Sequence, residues 1–251
     1  MKQKQSIKIL GIPLRPQKTD SILEYILKDS FLSPQFLHIV SVNPEILVQS
    51  QDDEEYKKIV STAQIQLIDG IGVVGAGYLL HGVRLPRLAG AQLLELVLKV
   101  GGERGLSIGL IGGKADIAET IADCYGKIYP RSTFFGTQGF VDIKNPQKNE
   151  TKAVNTIVKA RRPHIVFVSF GSPAQEKWIE DNRALFEGVI CVGVGGAFDF
   201  VAGKTKRAPT FVQDLGAEWL WRLLHEPWRW RRQLRLVRFV YLVCKQKIFK
   251  Q

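Results

Sequence analysis

An α/β fold is what this sequence predicts, and three observations predict it. Apolar, β-branched runs alternate with segments of helical period along the 251 residues, the pattern of a parallel sheet covered on both faces. Polar and glycine-rich motifs begin where the predicted strands stop, as ligand-binding loops do in open parallel sheets. The end of the chain is different: from Leu215 to Gln251 tryptophan and arginine interleave. The expected architecture is a Rossmann-like parallel-sheet core with helices on both faces over residues 1–207, followed by a C-terminal basic helical appendage over residues 208–251. The boundary is expected near Lys206-Arg207-Ala208-Pro209.

Taken in order, the expected strands are Ile7–Leu10, Leu37–Val42, Ile65–Ile68, Ser107–Ile111, Thr133–Phe135, His164–Phe170 and Val189–Val192. Each is short, apolar and bounded by turn residues. The helices expected between them are Thr19–Lys28, Asp53–Ala63, Gly72–Leu80, Ala91–Val100, Ala115–Tyr129, Thr151–Ala160 and Ala174–Leu185, each with an apolar stripe at helical spacing. Asn145 to Glu150, polar and with one proline, reads as a surface loop.

Bulk properties narrow the class. With 45% hydrophobic residues the chain can bury one sizeable core, or a core plus an appendage. The apolar stretch after the basic start, Ile9 to Leu14, is too short for a signal peptide, which places the protein in the cytoplasm. Cys124, Cys191 and Cys244 are far apart and in no metal-type spacing, so buried reduced thiols are expected. The scattered histidines read as ordinary packing or surface residues. No Asp-x-Asp motif occurs, and a divalent ion is not supported.

Four motifs carry the chemistry: Ser41-Val42-Asn43-Pro44-Glu45, Asp69-Gly70-Ile71-Gly72, Gly171-Ser172-Pro173-Ala174-Gln175-Glu176, and Gly193-Val194-Gly195-Gly196-Ala197-Phe198-Asp199. Each follows a predicted strand, so together they would line one crevice, which points to an enzyme or a nucleotide-binding protein. Asp69 follows a buried strand and precedes two glycines, and a carboxylate held there can act as a general base. It could equally cap the helix that begins near Gly72. Ser41 and Asn43 point to the same side of their strand, where they could meet a sugar or phosphate; a turn role for Asn43 before Pro44 stands beside that.

Gln175 falls in the first turn of a helix that starts at Pro173 or Ala174, beside free N–H groups. Gly195 and Gly196 allow close backbone approach to a phosphate or base, although tight strand-helix packing uses the same residues. Gly112-Gly113-Lys114 resembles a generic anion turn, with a structural turn preferred. It opens neither a dinucleotide fingerprint nor a P-loop. A nicotinamide-dependent oxidoreductase is thereby disfavoured.

The appendage sets the partner class. From Arg222 onward nine Lys/Arg face one acid, Glu226, so this segment carries +8 of the formal +11. Arg231, Arg235, Arg238 and Lys245 share one helical face, and Leu236, Val237, Phe239, Val240, Tyr241 and Val243 fill the rest. No run reaches the ~20 apolar residues of a membrane span. The pattern suits a helix lying on an anionic membrane surface. A terminal helix packed on the body with solvated arginines is the plain alternative. A nucleic-acid arm is the rival from another class, for which the apolar share is high.

Together these motifs, with Arg87-Leu88-Ala89-Gly90, the run from Gly195 to Pro209 and Gly216-Ala217-Glu218-Trp219-Leu220-Trp221-Arg222-Leu223, resemble the WecG/TagA/CpsF family of bacterial glycosyltransferases over nearly the whole chain. The resemblance implies a metal-independent, inverting enzyme without a cofactor. Such an enzyme moves an N-acetylmannosamine-type sugar from UDP to a polyprenyl-diphosphate-linked N-acetylglucosamine at the inner face of the membrane. It implies catalytic roles for Asp69 as base, Gln175 and Asn43. Substrate contacts are implied for Ser41, Arg87, Asp199 and the glycines 195 and 196, and diphosphate contacts for Arg222, Arg229 and Arg232. A homo-oligomer stays open, and nucleic acid is not an expected partner. One departure is Gln138-Gly139-Phe140, where the family commonly has a His-Gly-Tyr type sequence.

Overall fold

The computed structural model describes residues 7–29, 35–205, 208–214, 216–227 and 230–249. The chain opens with β1 (Ile7–Ile9) and β2 (Ile12–Leu14), followed by α1 (Thr19–Asp29), β3 (Leu37–Val42), α2 (Pro44–Gln49), α3 (Glu54–Thr62), β4 (Ile65–Ile68), α4 (Ile71–His81) and α5 (Gly90–Glu103). Next come β5 (Ser107–Gly112), α6 (Ile117–Ile128), β6 (Thr133–Thr137), α7 (Lys148–Arg161), β7 (Ile165–Ser169), α8 (Ala174–Asp181) and a 3-10 turn at Arg183–Phe186. It ends with β8 (Ile190–Gly193), α9 (Ala197–Val201), α10 (Thr210–Asp214), α11 (Glu218–His225) and α12 (Trp230–Phe249). Among the described residues the strand order of the main sheet is β4-β3-β8-β7-β5-β6, the α/β architecture expected from the alternating pattern.

The residues form two compact units. The first comprises 1–19, 41–89 and 206–251, the second 20–40 and 90–205. The sequence boundary expected at 207/208 falls two residues past the point where the second unit ends, and the appendage packs as part of the first unit.

The second unit is built on parallel ladders. β5 pairs with β6 and β7, β7 with β8, and β8 with β3 through Leu37, His38 and Ile39. β7 and β8 are buried along their whole length, which is why they read as unbroken apolar runs rather than alternating ones. The aromatic rings of Phe140, Phe170, Trp178 and Phe186 meet edge to face at centroid distances of 5.2–5.8 Å. Phe140 lies inside that cluster, so the Gln138-Gly139-Phe140 segment packs an apolar ring into the core. Gly112 and Gly113 form a structural turn. A Cβ on Gly112 would come within 2.8 Å of the Ser169 carbonyl oxygen and of Phe170, and α6 begins only at Ile117.

In the first unit β1 and β2 form an antiparallel hairpin instead of the parallel strand expected at Ile7–Leu10. The two-residue turn places Leu10 at φ 50° and Gly11 at φ 77°. Positive φ at both central positions matches the right-handed twist of the strands, but a leucine at the first of them gives no sequence signal.

The helix α2, absent from the expected elements, is only six residues long. Its start is fixed by Asn43, whose Oδ1 accepts from the Ile46 N–H at 2.9 Å, and by Pro44 in the first turn. In the segment expected as a loop, Gln147 and Glu150 form a capping box that starts α7 at Lys148. Cys124 and Cys244 are exposed and only Cys191 is buried, which corrects the expectation of three buried thiols.

The appendage differs most from its sequence reading. Phe239 and Val243 of α12 are buried, and the helix packs on α2 and α4. Gln246 ties its far end to the hairpin, accepting from the Leu10 N–H at 2.9 Å and donating to the Lys8 carbonyl at 3.2 Å. Arg235 and Arg238 turn to acids of the same unit: Arg235 pairs with Glu45, and Arg238 donates to Asp52 at 2.5 and 2.7 Å. Outward it presents apolar side chains, with Trp230, Leu234, Val237, Val240, Tyr241 and Ile248 all more than half exposed, and the exposed Lys245 and Lys247 near its end. Among the described residues no helix is long and apolar enough to cross a membrane.

Candidate active site

The predicted site residues fall into two sets, one in each unit. In the first unit, the ends of β3 and β4 lie side by side: the Asp69 N–H donates to the Val42 carbonyl at 2.8 Å. Gly70 then turns the chain at φ 112°, and a Cβ there would lie 3.3 Å from Pro44 Cδ and 3.6 Å from Asn43 Cβ. That crowding, together with the left-handed φ, is why glycine follows the aspartate.

The residue at the cap position of α4 is Gly70, one past Asp69. Asp69 is half-buried just past the carboxyl end of β4, and its backbone bonds to Val42, the residue before Asn43. Asn43 has its Oδ1 committed to the cap of α2, which leaves its Nδ2 as the group it can offer a ligand. Ser41 is buried at 7% exposure.

Arg87 lies in the same unit, on the loop after α4. Its Nη1 donates to the Gln213 carbonyl at 2.7 Å and its Nη2 to Glu218 at 3.2 Å. It thus clamps the carbonyl end of α10 and the start of α11, a stable place for a guanidinium. Arg222 donates through Nε to Glu226 at 3.2 Å. Arg232 forms a two-pronged pair with Glu45, its Nη2 at 2.6 Å and its Nε at 3.2 Å. Arg229 lies outside the described residues.

In the second unit, Gln175 sits in the first turn of α8 but at 2% exposure. Its Oε1 accepts from the Gly195 N–H at 2.9 Å and the Gly171 N–H at 3.2 Å, while its Nε2 donates to Glu176 Oε1 at 2.7 Å. The amide therefore ties the loop after β7 to the loop after β8. Gly193 is needed for this tie, since a Cβ there would come within 2.7 Å of Gln175 Nε2. Glu176, fully buried, also accepts from the Ser172 hydroxyl at 2.9 Å. Burial pushes its carboxyl above the usual glutamate range, against the hydrogen bonds from Gln175 and Ser172. Gly195 takes φ 52° and accepts from the Ser169 hydroxyl. Gly196 is exposed at the start of α9, and Asp199 is half-buried one turn on.

Three functional residues went unrecognised in the sequence reading. Glu45 and Asp52 hold the appendage arginines, and Glu176 orients Gln175. Glu45 had one signal, its place in the motif after Asn43 and Pro44. Glu176 had the same signal, as the last residue of the motif that holds its partners Ser172 and Gln175; Asp52 had none, because Arg238 lies 186 residues away.

Comparison with known proteins places this geometry. The glycosyl transferase WecG/TagA/CpsF family matches residues 7–251. The chain is 32% identical over 244 residues to the N-acetylglucosaminyldiphosphoundecaprenol N-acetyl-beta-D-mannosaminyltransferase of Bacillus subtilis (strain 168), covering 97% of this chain and 93% of that protein. It is 31% identical over 214 residues to the enzyme of the same name in Staphylococcus aureus (strain MW2), covering 84% and 81%. A match over nearly the full length, with the strand-end motifs in place, means that this chain belongs to the WecG/TagA/CpsF family of glycosyltransferases.

Proposed function

We propose that the protein transfers an N-acetylhexosamine of the N-acetylmannosamine type from a UDP-linked donor to a polyprenyl-diphosphate-linked N-acetylglucosamine, with inversion at the anomeric carbon and without a metal. The names of the relatives support the acceptor and the sugar. The observation that carries the mechanism is the place of Asp69: at the carboxyl end of β4, with its backbone bonded to Val42, the residue before Asn43.

In this reading Asp69 takes the proton of the acceptor hydroxyl as that oxygen attacks the anomeric carbon. The bond from that carbon to the UDP oxygen breaks, and UDP leaves with the electron pair. Asn43 Nδ2 and Ser41 orient the sugar. Gly195 and Gly196 offer backbone to the nucleotide, with Asp199 beside it, and Gln175 acts by fixing their loop. Arg222, Arg229 and Arg232 neutralise the departing diphosphate. Arg232 exchanges Glu45 for phosphate oxygens to do so, and Arg87 holds the appendage in place.

The outward apolar face of α12 and the exposed Trp219, Leu220 and Leu224 of α11 suit peripheral attachment at the inner face of an anionic membrane. They do not suit a nucleic-acid arm, whose contact face must be cationic, whereas six residues of α12 that are more than half exposed are apolar.

The test offers the protein several UDP-N-acetylhexosamines with a short-chain polyprenyl-diphosphate-GlcNAc analogue, with and without EDTA, and weighs the product. One added N-acetylhexosamine, from the manno donor and undiminished by EDTA, is expected. No product from any donor would refute the transferase reading, and loss of product in EDTA would refute metal independence.

A further inference from the structure

Beside α4, and two residues beyond Asp69, the first unit carries an open groove of about 660 Å³. Its apolar lining includes Ile71, Val74 and Val83, and its cations are Lys18, Arg84 and Arg87. No acid lines it. Arg87 is engaged with Glu218 and the Gln213 carbonyl, but neither Lys18 nor Arg84 has an acid partner among the described residues. Ile71 and Val83 are 43% and 42% exposed, so apolar surface and unmatched positive charge lie in one concavity.

We propose that this groove seats the acceptor's diphosphate and the prenyl units next to it, with Lys18 and Arg84 on the phosphates and Ile71, Val74 and Val83 under the hydrocarbon. The proposal rests on the glycosyltransferase reading above and assigns its acceptor a place. The chemistry selects this occupant over others. A nucleotide has no hydrocarbon for the apolar lining, and a neutral lipid would leave two cations unmatched. A second copy of a chain carrying +11 brings like charge to a positive groove.

The size fits as well. About 660 Å³ is the scale of a small-molecule site, enough for the head and first units of a polyprenyl chain but not for its length. The rest must continue elsewhere, and Tyr78 and Leu79, 70% and 45% exposed on the same helix, give it apolar surface.

The experiment compares the wild-type protein with Val74→Trp, which fills the groove, and Arg84→Gln and Lys18→Gln, which are exposed and leave packing intact. Steady-state transfer should show acceptor KM raised about tenfold in each variant, with donor KM within about twofold of wild type. Unchanged acceptor KM in all three, or donor KM rising in step, would overturn the proposal. If the wild type transfers no sugar at all, the glycosyltransferase reading fails separately, and direct binding then decides the groove.

Farnesyl diphosphate titrated by calorimetry should bind saturably to the wild type and at least tenfold more weakly to Val74→Trp. Absence of binding, or inorganic diphosphate binding as tightly, would overturn it. So would displacement of farnesyl diphosphate by vesicles of phosphatidylglycerol, which would make the groove a general headgroup site, or a dimer in sedimentation that Val74→Trp abolishes.

Discussion

The Gln175 region and the α12 region use polar groups in opposite ways. Around Gln175 the amide and the neighbouring Glu176 carboxyl are buried, and two backbone N–H groups, the Ser172 hydroxyl and Glu176 Oε1 converge on that one amide. Around α12 the charges sit near solvent, with Arg232 and Arg238 about half exposed, and their acids lie 186 or more residues away in sequence. A buried network of the first kind fixes loop geometry and is costly to open. An exposed ionic set of the second kind is cheap to exchange for another anion, a phosphate or a membrane surface. The difference separates the part of the molecule that must stay fixed from the part that can trade partners.

The first way to test the contrast is at Asp69, which belongs to neither network. Asp69→Asn should lower turnover by ~10²–10⁴, the usual worth of general-base assistance, while UDP binding and thermal stability stay near wild type. An unchanged turnover would remove the residue from the reaction.

Next in size is Gln175→Ala. Truncation leaves two backbone N–H groups without their acceptor and removes one of the two donors to the Glu176 carboxyl, at about 1–3 kcal/mol for each buried group left unpaired. Urea unfolding should therefore show a loss of about 3 kcal/mol. A loss below about 1 kcal/mol would mean the tie is not structural.

Glu176→Gln reads the same network by pH. Burial raises the glutamate above its unfolded value, so the folded state holds the proton more tightly. That stabilisation is complete below the unfolded pKa and is lost as pH rises through the folded one. Wild-type stability should fall from acidic toward neutral pH more steeply than that of the glutamine variant, and parallel profiles would contradict the assignment.

The smallest effect is expected at Glu45→Gln. An exposed ion pair contributes about 1 kcal/mol at most, so global stability should barely move while hydrogen exchange in α12 quickens. Acid should loosen the second pair as well. The hydrogen bond from Arg238 holds the Asp52 carboxyl below the usual range, so that contact persists above the unfolded pKa and is lost as pH falls through the folded one. Exchange in α12 that is unchanged in Glu45→Gln would mean the pairing does not hold the helix.

Much of this arrangement was legible before any coordinates. Leu37–Val42 and Ile65–Ile68 stand where the apolar runs placed them, because a strand buried on both faces announces itself by composition alone. The motifs followed the strands because turns at strand ends need glycine, proline and asparagine. What stayed hidden has physical reasons. The β1-β2 hairpin turns at Leu10, whose positive φ is set by the strands around it rather than by its own preference. Gln175 was read as a ligand-facing amide because helix position says nothing about which loops will close over it.

The direction of α12 has a long-range cause. The sequence shows which residues share its faces, but the acids Glu45 and Asp52 that engage its arginines come from another part of the chain.

The account rests on an attack that inverts a sugar and releases UDP. The most direct measurement is the anomeric configuration of the product, determined by NMR after incubation with UDP-α-N-acetylmannosamine and a GlcNAc-diphospho-prenol analogue. A β-linked disaccharide with one UDP released per linkage is the predicted result, and an α-linked product, or UDP released without any disaccharide, would contradict it.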